Sequence, residues 1–187
     1  MRLPPALIEI IAKGVLRTLS SRGTVSSEKP SETAAKIQRL LELDLQRDET
    51  ISEKAKSLLQ SRHGEIESSR DIDYRSLLGR ARNELAAKEG FVPWGGAEKI
   101  SSDKVRQLAR EILELLKGDD NVEYFTGAEN LKREVALALE KEKARDNERM
   151  ARATAKVRSI KRNIPEGSSE FVTLAEQFYR EFLEKER

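Results

Sequence analysis

The chain has 187 residues, 36% of them charged and 37% hydrophobic, and its 35 lysines and arginines against 33 aspartates and glutamates leave a formal charge of only +2. That balance carries no general basic excess of the kind that marks a nucleic-acid partner, and the thin supply of apolar residues favours helices that each bury one face. The absence of cysteine excludes a disulfide framework, a thiolate zinc site and a cysteine nucleophile, and it suits a reducing cytoplasm, the expected location.

In chain order, "MRLPPALIEIIAKGVLRTL" opens like a targeting segment, but Glu9 and Lys13 interrupt its apolar run and no small-residue cleavage site follows. No uninterrupted apolar stretch reaches the roughly 18 residues of a membrane span. Ile8, Ile11, Ala12, Val15, Leu16 and Leu19 recur at helical spacing, which predicts a core-facing helix over 5–20. A second helix follows over 31–62, with Ser31 after Pro30 as its cap and Glu32 in its first turn. Its length leads to the expectation of a bend or split near "RDE" at 47–49. His63, beside Gly64, reads as a contribution to the end of that helix, because a metal site or catalytic base needs partners at matched spacing. A third helix is predicted over 72–89.

"GFVPWGGAEK" at 90–99 then breaks the helical pattern with Pro93 and its glycines, and reads as a linker. Trp94 is expected to dock between the segments on either side and pin the linker; the alternative is an exposed ring that stacks on a ligand. Helices follow over 102–117, 128–163 and 169–186, the middle one with an expected bend or split near "RDN" at 145–147. "NVEYF" at 121–125 has strand propensity but too little company to form a sheet. At 165–169, Pro165 biases Ile164 away from helix, Gly167 loosens the turn, and Ser168 or Ser169 caps the last helix.

The two halves align. "LPPALIEIIAKGVLRTL" at 3–19 superimposes without gaps on "ISSDKVRQLAREILELL" at 100–116, pairing Ile8 with Val105, Ile11 with Leu108, Val15 with Ile112 and Leu19 with Leu116. The correspondence continues through Val25 with Val122, Leu41 with Leu139, Asp48 with Asp146, and Leu85 with Phe182. The expected fold is therefore all-α: two similar three-helix modules, 1–90 and 99–187, joined by the linker 91–98 and packed as a pseudo-symmetric helical bundle. Matched apolar faces on small modules lead to the expectation of an internal pseudo-dimer, and so a monomer or weak homodimer.

No strand, glycine-rich turn and helix follow one another, which excludes the usual phosphate-cradling loops. Carboxylates alternate with cations, as in "LEKEKARDNER" at 139–149, in the manner of solvated helix faces, and a paired-carboxylate active site requires burial that the sequence does not predict. No catalytic, cofactor or metal residue is singled out, and no cofactor is expected. One stretch stands apart: Arg145, Arg149, Arg152, Lys156, Arg158, Lys161 and Arg162 are accompanied only by Asp146 and Glu148, a local charge of +5. The first four fall on one helical stripe, while Met150, Ala153, Val157, Ile160 and Ile164 form another, so the apolar stripe packs and the basic one faces outward. There it could meet phosphates or the acidic residues of the other half. No aromatic is interleaved among these cations and the equivalent "ISEKAKSLLQSRHGE" is far less basic, which favours an intramolecular or solvated role.

The second half, through "KISSDKVRQLAREILELL", "NVEYF", "LKREVALALEKE", "RSIKRNIPEGSSEF" and "FYREFL", resembles the bacterial domain-of-unknown-function family 507. The first half is similar to another branch of it, through "RLPPALIEIIAKGVLRTL" and "GEIESSRDIDYRSLLGRARNELAAKEG". The resemblance implies a small helical bacterial cytoplasmic protein, here as two tandem modules, and places "RSIKRNIPEGS" within the module; it carries over no catalytic residue. The expected function is a non-enzymatic helical structural or protein-interaction module, with protein as the partner and no membrane. The alternative is RNA or DNA binding through the stripe 145–162.

Overall fold

The computed structural model describes residues 3–61, 73–95, 99–160 and 164–187. Its elements are α1 (Pro5–Ser21), β1 (Val25–Ser27), α2 (Pro30–Ser61), α3 (Tyr74–Lys88), α4 (Ser102–Lys117), β2 (Val122–Tyr124), α5 (Ala128–Arg158) and α6 (Ser169–Glu186). The all-α class is as expected, and among the described residues the succession of helix, short strand, long helix and helix occurs twice. Both long helices run unbroken through the positions where a split was expected, 47–49 and 145–147. His63 lies outside the described residues.

The chain forms two compact units, one of residues 1–40 and 108–187, the other of 41–107. In the first unit α1 packs against both α5 and α6 and touches β1. Every position of its predicted stripe is buried, and Ala6, Leu7, Ile10 and Thr18 are buried as well. A helix covered on several sides needs apolar residues around most of its circumference, which "ALIEII" supplies. Opposite it α5 buries Leu131, Val135, Leu139, Ala153 and Val157. Val157 joins Phe171 and Ala175 of α6 in a cluster flanked by Ile160, Ile164, Leu174 and Phe178, so the apolar stripe predicted along 150–164 does reach the core. In the second unit the described part of the expected linker, 91–95, contributes Phe91 and Trp94 to a core that includes Leu41, Ile51, Ala55 and Ala86.

Turn chemistry places these segments. At the end of α3, Gly90 adopts φ +61, a conformation open to glycine but strained for a side chain. Its N–H reaches the carbonyl of Ala87 at 3.1 Å and that of Phe91 reaches Ala86 at 2.9 Å, a Schellman ending that turns Phe91 back toward the helix it has just left. α2 starts one residue earlier than expected, at Pro30, whose fixed φ and missing N–H suit the first helical position; Ser31 therefore sits inside the first turn and is not the cap. Ser168 caps α6, its hydroxyl accepting from the Phe171 N–H at 3.2 Å.

The expectation that "NVEYF" finds no strand partner is corrected. Val122–Tyr124 pairs antiparallel with Val25–Ser27, in the register Val25 to Tyr124, Ser26 to Glu123 and Ser27 to Val122. The ladder is extended by Phe125 N–H to Thr24 O at 3.0 Å and Glu28 N–H to Asn121 O at 2.9 Å. The partner, "TVSS", is too short and polar to announce itself as a strand; it forms one because backbone groups between two helices must be paired.

The sheet leads into a buried aspartate. Asp119, 5% exposed, accepts from Lys36 Nζ at 2.7 Å, from Thr33 Oγ1 at 3.2 Å, and from the backbone and side-chain N–H of Asn121 at 3.2 and 3.1 Å. Thr33 in turn hydrogen-bonds the Ser27 hydroxyl at 2.9 Å, so one carboxylate fastens the start of α2 to both strands. These donors, Lys36 first, hold the Asp119 carboxyl at about 2, below its ordinary 3.8. A depressed carboxyl stabilises the fold above its unfolded value and loses that contribution as pH falls through the folded one. Asp119→Asn is thus expected to destabilise by about 1 to 3 kcal/mol at neutral pH, as judged by urea unfolding, with variant and parent converging between about pH 4 and pH 2.

Candidate functional site: an arginine cleft on the first unit

The helical period that places Arg145, Arg149, Arg152 and Lys156 on one stripe of α5 holds, but the stripe does not simply face outward. α6 lies along α5 and brings carboxylates and aromatic rings to it. Arg149 is buried, its side chain 5% exposed, and donates from Nε to Glu186 Oε2 at 2.7 Å, with Nη1 at 4.0 Å from Asp146. Arg152 is open to solvent, 3.9 Å from Glu186 and 4.8 Å above the ring of Phe182. Lys156 lies 3.3 Å from Glu181 and 3.9 Å above Phe178. Arg158, beyond the stripe, grips Glu166 with two donors at 2.6 and 3.1 Å. Arg145 pairs with Glu142 one turn earlier. Lys161 and Arg162 lie outside the described residues.

The aromatics that the sequence failed to interleave among these cations come from α6 instead, at the spacing Phe178 and Phe182, where each ring face receives a cation. Surface pairs of this type contribute little to stability. Their effect is to commit most of the stripe to the protein's own acids.

Arg17 from α1, Arg145, Glu148, Arg149 and Arg152 from α5, and Glu186 from α6 line a cleft of about 330 Å³. Behind it lie two carboxylates that the sequence reading took for solvated. Asp146, 4% exposed, accepts from the Tyr179 hydroxyl at 2.5 Å. Burial, together with this carboxylate, pushes the Tyr179 phenol well up, so it remains a proton donor throughout the ordinary pH range. Glu142 is fully buried against Gly14 of α1, so close that a methyl group at Gly14 would overlap its carboxylate. Its Oε2 has no hydrogen-bond partner among the described residues.

The second unit holds a comparable network. Lys104 at the start of α4 is wholly buried and paired with Asp44 of α2, its ammonium 3.9 Å above Phe91 and 5.3 Å above Trp94. Asp44 also accepts from the Trp94 indole N–H. Asp48, one turn on, takes two contacts of 2.7 Å from Arg82 and the Trp94 backbone N–H at 3.1 Å, while Arg82 reaches the Trp94 carbonyl at 2.6 Å. Trp94 is therefore a buried anchor, and the reading of it as an exposed stacking surface is overturned. Buried carboxylates do occur in this protein, contrary to expectation. The sequence holds one sign of them: the aligned halves pair the buried Asp146 with Asp48, which is half-buried. Among the described residues no group of three or more histidines and acids is arranged to hold a metal ion.

The chain belongs to the family described as protein of unknown function DUF507, which it matches over residues 1–186. No curated protein matches it. No helix among the described residues is long and apolar enough to cross a membrane.

Removing one member of a buried ion pair leaves the other charge without compensation, whereas neutralising both restores much of the loss. Lys104→Met is expected to destabilise by about 3 to 5 kcal/mol in denaturant titrations. Adding Asp44→Asn, which keeps an acceptor for the Trp94 indole, is expected to recover about half of that.

Proposed function

We propose that this protein is a non-enzymatic helical interaction module of the bacterial cytoplasm, built from two related halves, and that its partner is a protein. The observation that carries the reading is the internal pairing of the basic stripe. A nucleic-acid backbone binds by exchanging counterions for free cations, and here Arg149, Lys156 and Arg158 already hold Glu186, Glu181 and Glu166. Tyr124 and Phe125, adjacent on the small sheet and 43% and 63% exposed, offer apolar surface of a kind that suits a protein partner better than a phosphate backbone. The buried carboxylates are each engaged by a neighbour that fixes packing, which supports a structural role for them over a catalytic one.

Two reciprocal contacts support the tandem reading. Asp44 and Glu142 stand 98 residues apart, in equivalent places on the two long helices. Glu142 meets Gly14 of α1 and Asp44 meets Lys104 of α4, so the first helix of each half reaches the long helix of the other. One turn later Asp48 bonds Arg82 and Asp146 bonds Tyr179, again equivalent positions. In this reading the chain is an internal dimer of exchanged helices, and a monomer or weak homodimer in solution.

Residues 98–187 expressed alone are expected to self-associate, with α4 taking the place of α1; a stable, well-folded monomer in solution would overturn the tandem reading. For the partner, capture from the native cell is expected to recover the same proteins with and without nuclease. Material that disappears on nuclease treatment would favour the RNA or DNA reading, and charge reversal at Arg149, Arg152 and Lys156 would then weaken binding and flatten its salt dependence.

A further inference from the structure

We propose that the cleft lined by Arg17, Arg145, Arg149, Arg152, Glu148 and Glu186 is a binding site for a single doubly charged phosphate group carried on a small molecule, and that the Glu186 carboxylate occupies the site in its absence. The site is independent of whether the helical surfaces engage a protein.

Two guanidiniums, Arg17 and Arg152, bring unused donors to this cleft, beside a third, Arg149, that holds Glu186 there. Arg17, exposed on α1, makes no hydrogen bond or ion pair among the described residues. Arg149 is held in place by burial and donates from Nε to Glu186, so displacing that carboxylate frees Nε; its Nη1, buried 4.0 Å from Asp146 and without a hydrogen-bond partner among the described residues, is turned away from the cleft. Arg152 stands 3.9 Å from Glu186, beyond hydrogen-bond reach, steadied by the face of Phe182. A guanidinium presents five donors in a planar fork suited to oxyanions, so the chain leaves most of this capacity unfilled.

The resident acid narrows the ligand. Glu186 is tethered, and a tethered carboxylate acts at high effective concentration, so a free monocarboxylate gains nothing by replacing it. A phosphate dianion gathers two charges on one tetrahedral group and can meet guanidiniums arriving from α1 and α5 together. The two carboxylates behind the lining, Glu142 and Asp146, face Gly14 with Arg145 and Tyr179 with Arg149; they position the arginines and do not fill the cleft. Glu148 opposes an anion, and its place in the lining limits the site to one phosphate group. A volume of about 330 Å³ admits that group with a small organic portion attached, and is too confined for a continuous nucleic-acid strand.

Calorimetric titration of the full chain at constant ionic strength near pH 8, with inorganic phosphate as the probe and acetate as comparator, tests the assignment. Phosphate is expected to bind and acetate not. Glu186→Gln removes the competing charge while its amide oxygen can still accept from Arg149 Nε, and is expected to tighten phosphate about tenfold, the equivalent of one charge-assisted hydrogen bond released. Glu184→Gln deletes the same charge from the same helix at a position outside the cleft, and is expected to change nothing. Arg17→Gln, at an exposed position, is expected to weaken phosphate. The proposal is overturned if the Glu186→Gln protein takes up no phosphate to about 10 mM, weaker than specific recognition requires. It is equally overturned if Glu184→Gln tightens phosphate as much as Glu186→Gln, or if acetate matches phosphate.

Discussion

A carboxylate removed from water has to be met by a cation or a donor, and each long helix of this protein withdraws two from solvent one turn apart: Asp44 and, in part, Asp48 on α2, Glu142 and Asp146 on α5. Most of what positions the other elements can be traced to how these four are met. Asp44 requires Lys104 and the Trp94 indole, which fixes the start of α4 and the segment 91–95. Asp48 requires Arg82, which sets the face of α3. Asp146 requires the Tyr179 hydroxyl, which sets the register of α6 on α5. Glu142 takes Arg145 on one oxygen and the bare backbone of Gly14 beside it. An apolar core tolerates many sliding arrangements of similar free energy; a buried acid with a single partner within reach permits few.

This constraint explains which parts of the structure could be read from the sequence. Helix existence and extent follow from apolar period and breakers, which is why α1, α4 and α6 fall within a residue of expectation: the Ile8 to Leu19 stripe and the turn from Pro165 to Ser168 act locally. The buried acids act at long range. In a chain where 36% of residues are charged, Asp44 and Lys104 look like their solvated neighbours, and nothing in the local spacing separates an acid that meets water from one that meets an ammonium 60 residues away. The short sheet was hidden for the same reason, since "TVSS" is a strand only because Val122–Tyr124 lies beside it. The aligned halves contained the missing information in part, for Asp48 and Asp146, which that alignment pairs, each hold a side chain of a later helix, Arg82 and Tyr179.

The basic stripe shows how a correct local inference can mislead about function. Its periodicity was legible, and so was its charge. What the sequence could not show is that α6 lays Phe178, Phe182, Glu181 and Glu186 over it, converting a row of cations into a set of internal contacts with one incompletely filled gap between α1, α5 and α6. Charge density along a helix is a property of one element; availability of that charge belongs to the elements packed on it.

Gly14 and Glu142 have a consequence of another kind. The space a side chain would occupy on α1 is taken by a carboxylate from α5, so the two positions share one volume. A change at one bears on the other: a larger residue at 14 displaces the Glu142 carboxylate or favours a shorter residue at 142, and a shorter one at 142 leaves a void that growth at 14 would close. Across related sequences these two sites should behave as a single steric variable, drifting together or not at all, although 127 residues of chain lie between them.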